Sequence, residues 1–281
     1  MTTTKSHNAV QTILVTAGTG KVGRRVAERL GANGIPVRIG SRSADISFDW
    51  EDRSTWEPVV RGAGAAFIMY TPDIGDPRAG ETIRAFSELA VANGVRRLVL
   101  LSARGEDQAA AAEAAVRDSG AQWTVLRAAW FDQNFDEGVF TDMVNAGEVA
   151  FPAGQVLEPF IDSDDLADVA VAALTQDGHA GRNYELTGPR LLTFGAAVEA
   201  IARATGRDIQ YFPVTGEQFG AVLKSEFGMP DEEVIGMLDI FATLLDGRNA
   251  TVTDTVRNLL GREPVDFAEF VRNAVAAGAW Q

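Results

Sequence analysis

Three glycines stand in Ala17-Gly18-Thr19-Gly20-Lys21-Val22-Gly23, directly after the apolar run Ile13-Leu14-Val15 and at the head of a helical period. A strand that turns tightly into a helix aims backbone N–H groups and the positive end of the helix dipole at one point, and glycine lets the chain approach a pyrophosphate closely. The spacing alone is common by chance. Its place between strand and helix predicts a dinucleotide site over Gly18, Thr19, Gly20, Lys21, Val22 and Gly23; the alternative is a tight turn without a ligand.

The end of the second strand sets which dinucleotide fits. An acidic residue there would accept hydrogen bonds from the ribose hydroxyls of NAD. The stretch is instead Gly40-Ser41-Arg42. A hydroxyl and a guanidinium, with no carboxylate to repel a 2′-phosphate, favour NADP(H). Arg42 as a solvated turn residue is the other reading.

Reduction of a carbonyl commonly uses a tyrosine acid whose proton is loosened by a lysine four positions on. The tyrosines, Tyr70, Tyr184 and Tyr211, are followed at that distance by Ile74, Gly188 and Thr215, and the lysines are Lys5, Lys21 and Lys224. Ordinary alcohol dehydrogenation is therefore disfavoured. Ser102, at the end of a predicted strand, is the one candidate for a catalytic side chain, and the catalytic residue is otherwise unassigned.

These groups need a scaffold. From residue 10 to about 130, short β-branched runs alternate with helical periods, as in βαβ units on a parallel sheet with right-handed crossovers. Strands are predicted at 12–16, 36–40, 46–48, 65–70, 97–101 and 123–126, and helices at 21–32, 53–61, 78–93 and 106–119. The near-continuous apolar runs suit strands covered on both faces. Beyond 130 the alternation weakens, loops are marked by Phe151-Pro152-Ala153-Gly154 and Gly188-Pro189, and residues 194–281 are mostly amphipathic helices with a strand near 208–213. The expected fold is an α/β Rossmann doubly wound parallel sheet over 1–150 with a smaller, mainly helical substrate cap over 151–281. Parts of 150–190 are expected to return to the main sheet.

Composition narrows the function. The 281 residues are 46% hydrophobic and 23% charged, in the globular range. A formal net charge of −14 spread along the chain repels nucleic acid. With no cysteine and only His7 and His179, in a tail and a turn, disulfides, thiolate chemistry and a zinc or haem site are disfavoured, and no metal is expected. Residues 1–8 are polar and lack the apolar stretch of a secretory signal, and no run approaches the roughly 20 apolar residues of a membrane span. A cytoplasmic monomer or homodimer, away from membranes, is expected; the C-terminal helices 232–245 carry apolar faces that suit either the roof of a pocket or a second subunit.

The chain resembles the NmrA-like group of atypical short-chain dehydrogenase/reductases, which includes NAD(P)H-dependent quinone reductases and isoflavone-reductase-like enzymes. The resemblance rests on residues 15–23, on Gly94-Val95-Arg96-Arg97-Leu98-Val99-Leu100-Leu101-Ser102, on Leu126-Arg127-Ala128-Ala129-Trp130-Phe131-Asp132-Gln133-Asn134-Phe135 and on residues 159–170. Within the group, Phe48-Asp49-Trp50-Glu51-Asp52-Arg53-Ser54-Thr55-Trp56, Tyr184-Glu185-Leu186-Thr187-Gly188-Pro189 and Gly261-Arg262-Glu263-Pro264 resemble the ergot-alkaloid (agroclavine and festuclavine) dehydrogenase branch, whose fungal members reduce a cyclic iminium with NADPH. Many relatives have glycine where this chain has Ala17.

The resemblance implies that Thr19, Gly20, Lys21 and Val22 line the pyrophosphate, Ser41 and Arg42 the 2′-phosphate, Asp49 and Trp50 the adenine, and Tyr70, Thr71 and Pro72 the ribose and nicotinamide. Ser102 and Ala103 fall beside the hydride position. Trp50 and Trp56 as plain core aromatics are the alternative. Trp130, Phe131, Asn134, Phe135 and Phe160 are the candidate substrate residues, since aromatic faces can hold a planar or cationic molecule and an amide can orient it; the same segment could instead pack the cap. Asp162, Asp164 and Asp165 suit helix capping better than a cation site.

An acceptor that needs hydride but little enzymic acid fits the missing tyrosine and lysine. The expected function is NADPH-dependent reduction of an electrophilic small molecule such as a cyclic imine or iminium, a quinone or an enone. The alternative is a non-catalytic NADP(H) sensor of the NmrA type.

Overall fold

The structure, a computed structural model, describes residues 11–281; His7 and the polar opening of the chain lie outside them. In chain order the elements are β1 (Thr12–Thr16), α1 (Lys21–Ala32), β2 (Val37–Gly40), α2 (Trp56–Val60), β3 (Ala63–Ile68), α3 (Ala79–Ala92), β4 (Arg97–Ala103), α4 (Ala110–Arg117), β5 (Gln122–Ala128), α5 (Thr141–Ala146) and β6 (Glu148–Phe151). Then follow β7 (Leu157–Glu158), α6 (Ser163–Thr175), β8 (Arg182–Leu186), β9 (Leu192–Thr193), α7 (Phe194–Thr205), β10 (Gln210–Pro213), α8 (Gly216–Phe227), α9 (Asp231–Leu244), α10 (Thr255–Leu260) and α11 (Phe267–Ala276).

The main sheet has six strands in the order β2-β1-β3-β4-β5-β8. β1 pairs in parallel with β2 and β3, and β3 with β4. All six residues of β3 are buried, as are Ile13, Leu14, Val15 and Thr16 of β1. That is why these strands carry unbroken small and apolar runs: helices cover the sheet, leaving no solvent face to favour polar alternation. In α1 the buried positions Val22, Val26 and Leu30 recur every four residues, one face turned to the sheet. The fold is thus the expected α/β Rossmann type with flanking helices. No described helix is long and apolar enough to cross a membrane.

Two details differ from the sequence expectation, and a third meets it. The strand expected at 46–48 is reduced to a single bridge between Ser41 and Ser47, because Ile46 and Ser47 are exposed and only Phe48 is buried. The strand near 208–213 forms as β10, and it pairs in parallel with β6 in a small separate sheet. The chain makes two compact units that alternate in sequence instead of meeting once near residue 150. Unit 1 runs to Leu101 and adds Ala111–Val125 and Ala170–Asn183; unit 2 comprises Ser102–Ala110, Leu126–Val169 and Tyr184–Gln281. The changes fall inside β4, α4, β5, α6 and β8, where no loop or composition shift marks them.

Unit 1 holds an aromatic cluster of Phe48, Trp50, Trp56, Tyr70 and Phe86, with ring centroids 4.8–6.1 Å apart and mostly edge to face. Unit 2 holds a larger core in which Phe135, Phe140, Phe151, Phe160, Phe194, Phe267 and Phe270 pack with the apolar faces of α7, α8 and α11. Thr193, Thr215 and Asp266 cap those three helices by accepting hydrogen bonds from Ala196, Gln218 and Ala268 backbone N–H groups.

Candidate functional site

In unit 1 the glycine loop is built by close approach. A Cβ on Gly18 would lie 2.9 Å from the Val15 carbonyl oxygen and from Ile39 Cγ2, and one on Gly23 only 2.2 Å from the Ala17 carbonyl oxygen. The loop closes through a hydrogen bond from the Gly20 N–H to the Ala17 oxygen, 2.9 Å. Ala17 itself is at φ 49°, a left-handed conformation that a residue with a Cβ adopts at a cost and glycine does not. Glycine would therefore be the easier residue at this turn, and the alanine here keeps its shape.

α1 starts at Gly20 with no side-chain cap and no acidic residue in its first turn. Neither a capping side chain nor an acid of the helix itself offsets the positive end of its dipole, which suits an anion. This is the observation that fits a dinucleotide phosphate to Thr19, Gly20, Lys21 and Val22. The loop is tied to the end of β2: Gly18 N–H donates to the Gly40 oxygen at 3.4 Å, and Thr19 Oγ1 lies 3.2 Å from Ser41 Oγ. Ser41 Oγ also lies 3.1 Å from Ser43 Oγ, so three hydroxyls gather there. The neighbouring Arg42 is exposed. No carboxylate occupies residues 40–44, so hydroxyl and guanidinium chemistry matches a 2′-phosphate.

Other expected cofactor residues are placed differently. The Trp50 ring is buried in the aromatic cluster and its Nε1 donates to the Met69 oxygen at 3.3 Å; the indole is core and does not present a face for adenine. The Asp49 carboxylate accepts from the Glu51 N–H, and its carbonyl oxygen accepts from Trp56 Nε1 at 2.7 Å. Asp49 thereby pins Trp56. Tyr70 is also buried, with its ring 5.2 Å from that of Trp50, and burial pushes its phenol above the ordinary value; its hydroxyl bonds to Thr82. Thr71 and Pro72, just beyond, are exposed.

Unit 2 carries the end of β4 and the residues leaving β5. Ser102 is buried and Ala103 half-buried. The next residue, Arg104, is the centre of a network that sequence alone did not reveal. Its Nε donates to Glu185 at 2.9 Å, Nη1 to the carbonyl oxygens of Asn249 and Thr251, and Nη2 to Thr251 Oγ1. Asn249 Nδ2 returns a bond to the Arg104 oxygen, and Gly105, at φ 75°, lies where a Cβ would strike the Asn249 amide.

Of the expected substrate residues, two belong to the core. Phe135 is fully buried among Phe140, Phe160, Phe194 and Phe267, and Phe160 packs on Phe135, Phe194 and Phe267. These rings hold the unit together and offer no ligand surface. Trp130, Phe131 and Asn134 are half-buried. The Trp130 ring packs on Phe140, Phe151, Phe194 and Phe241, while its buried Nε1 has no hydrogen-bond partner.

The acidic cluster is structural. Asp162 accepts from Gln133 Nε2 and from the Asp164 N–H, and Asp165 pairs with Arg262 and accepts from the Val265 N–H. No group of acids, histidines or cysteines suited to a metal occurs among the described residues. Two acids that sequence reasoning passed over are conspicuous for having no partner. Asp132 and Glu158 are fully buried and none of their carboxyl oxygens has a hydrogen-bond partner. Burial and the surrounding carboxyl groups, Asp162 first, hold Asp132 well above the ordinary range, and burial lifts Glu158 to about 7 against the pull of Arg104. The signal was an acid within the apolar run Val156-Leu157-Glu158-Pro159-Phe160-Ile161.

The chain matches the NAD(P)H-binding family over residues 17–177. It is 31% identical to the uncharacterized oxidoreductase YesF of Bacillus subtilis, covering 95% of this chain and 96% of that one. It is 32% identical to agroclavine dehydrogenase of Claviceps fusiformis, covering 92% and 96%. The NADPH-bound structure of an NADPH-dependent quinone oxidoreductase from Escherichia coli shares the fold with a TM-score of 0.74, 22% identity and coverage of 94% and 99%. The chain belongs to the NAD(P)H-binding family, on the NmrA-like side of the short-chain dehydrogenase/reductases, and is an NAD(P)H-dependent oxidoreductase.

Proposed function

We propose that the chain uses NADPH to reduce an electrophilic small molecule, a quinone, enone or cyclic imine, without a tyrosine and lysine pair. The observation that carries the cofactor choice is the end of β2, where the hydroxyls of Thr19 and Ser41 meet beside the exposed Arg42 with no carboxylate among residues 40–44. The residues of the loop bind: α1 N–H groups take the pyrophosphate, and Ser41 and Arg42 take the 2′-phosphate. Bound NADPH supplies the hydride.

The side chains of an ordinary carbonyl reductase are committed elsewhere. The Tyr211 hydroxyl donates to the Phe151 oxygen at 3.0 Å, Tyr70 is buried in its aromatic cluster, and Lys224 pairs with Asp231 at 2.9 Å. The acceptor class is supported by the relatives, whose names include agroclavine dehydrogenase and quinone oxidoreductase. The proposed location is the cytoplasm.

The test is binding and turnover together: NADPH and NADH affinity by fluorescence titration, then nucleotide oxidation against quinones, enones and cyclic imines. Tighter NADPH binding with oxidation by at least one acceptor is expected. Tight binding with no oxidation by any acceptor would return the chain to the non-catalytic sensor reading.

A further inference from the structure

Helices α7 and α11 pack together in unit 2, and both line a cleft of about 310 Å³. α7 gives the cleft Ala200, Arg203 and Ala204, and α11 gives it Ala268, Val271 and Arg272. Each set has the spacing i, i+3, i+4 that places three side chains on one face of a helix. Both helices thus turn a small apolar face carrying one arginine to the same space. Val271 is buried and Ala200 and Ala268 are half-buried, so they form the floor, while Arg203 and Arg272 are exposed at the rim. A third rim arginine, Arg190, arrives from the loop between β8 and β9. No acid lines the cleft.

The three guanidinium groups are in different states. Arg190 is oriented: its Nε and Nη2 both donate to the Asp266 carboxylate, at 2.5 and 3.0 Å, which leaves Nη1 without a protein partner. Asp266 also caps α11 by accepting from the Ala268 N–H, so Arg190 is fixed against the start of that helix. Arg203 Nη1 donates to Glu199 at 2.8 Å in an exposed i, i+4 pair, a weak tie that leaves its other nitrogens available. Arg272 has no hydrogen-bond or ion-pair partner among the described residues, and its charge reaches Asp266 only through space.

We propose that this cleft binds a small organic anion, a carboxylate or phosphate monoester carried on an apolar body about the size of a benzene ring. Guanidinium groups present paired donors that match the oxygens of such anions, and Arg272 offers its whole fork. The apolar floor takes the body. A volume of about 310 Å³ lies at the small end of ligand sites, which run from roughly 300 to 1,000 Å³. On a chain of formal net charge −14 the distant field repels anions, so binding depends on these short-range donors and on the floor together. An anion without an apolar body, or an apolar body without charge, engages only half of the site. The cleft shares no residue with the glycine loop or the end of β2, and the proposal does not rest on the reductase reading.

The test is calorimetric titration of the full chain saturated with NADP+, so that the dinucleotide site is filled. The probes are phenyl phosphate, benzoate, inorganic phosphate and benzyl alcohol. Phenyl phosphate or benzoate should bind at least about tenfold more tightly than inorganic phosphate and benzyl alcohol. Whichever of the two aromatic anions binds more tightly names the head group, phosphoryl or carboxylate, and either supports the site. Arg272→Ala removes the unpartnered guanidinium and should weaken that binding about tenfold or more. Ala204→Leu keeps all three arginines and fills the cleft; it should cost at least as much. Both positions are exposed, so the variants should melt with wild type. Arg257→Ala, which removes an exposed arginine held by Asp254 and Glu263 on α10, should bind the probes as wild type does. Aromatic anions bound no more tightly than inorganic phosphate or benzyl alcohol would overturn the proposal, as would R272A and A204L binding them like wild type. Should NADP+ itself fail to bind, the cofactor reading is lost, while the response of the probes to these two substitutions still decides the cleft.

Discussion

Thr19 Oγ1 lies 3.2 Å from Ser41 Oγ, joining the glycine loop after β1 to the end of β2. The contact places a hydroxyl pair between the uncapped start of α1 and the exposed Arg42, the two positively polarised groups that a phosphorylated ribose and its pyrophosphate need. Removing the guanidinium should cost one charge-assisted hydrogen bond, about 1.5–3 kcal/mol. Arg42→Ala is therefore expected to weaken NADPH binding by about 10- to 100-fold and leave NADH nearly unchanged, measured by titration of nucleotide fluorescence.

The loop tolerates no side chain at Gly23, where a Cβ would meet the Ala17 backbone oxygen at 2.2 Å. Gly23→Ala must displace main chain, and calorimetry with nucleotide titration should show both a lower Tm and lost cofactor binding. The converse substitution at the strained turn, Ala17→Gly, relieves the left-handed φ and should stabilise the fold by about 1 kcal/mol, or about 2–4 °C in Tm.

Arg104 is almost wholly buried with its charge neutralised by Glu185, which also receives Arg127 at 3.2 Å. Arg104→Met should destabilise unit 2 by about 3 kcal/mol, at the low end for a broken buried pair because Glu185 keeps its second partner. The same variant removes the attraction on Glu158 and should move the titration of that carboxyl upward, read by infrared spectroscopy.

The buried acids make stability fall as pH rises. Glu158 titrates at 4.5 when unfolded and at about 7 in the fold, so the folded state binds more protons between those values. Its contribution is complete below about 4.5 and disappears as pH passes about 7, a change of roughly 3 kcal/mol, and Asp132 acts in the same direction. Denaturant melts of wild type and Glu158→Gln across this window should show the gap between them shifting by about that amount in favour of the variant. A gap independent of pH would refute the assigned protonation.

Much of this was legible in the residues. β1 and β3 announced themselves because strands covered on both faces must be apolar throughout, and the glycine loop because Gly18 and Gly23 stand where backbone touches backbone. The aromatic residues were harder. Trp50, Phe135 and Phe160 have the side chains of a ligand site, but which way a ring turns is set by distant partners such as Phe86, Phe194 and Phe267 that no local pattern reveals. Arg104 and Asn249 are 145 positions apart and meet only through the fold. Glu158 interrupts an apolar stretch, and only the fold shows that it is buried with no partner.

The most direct measurement is isotopic. NADPH deuterated at the transferring C4 position is incubated with the protein and the quinone, enone and cyclic imine acceptors, and products are analysed by mass spectrometry and NMR. For an enone or imine the expected result is one deuterium on the reduced carbon, with loss of label from the nicotinamide, and for a quinone that same loss coupled to hydroquinone formation. Retention of the label on the nicotinamide, or reduced enone or imine carrying none of it, would contradict hydride transfer by this protein.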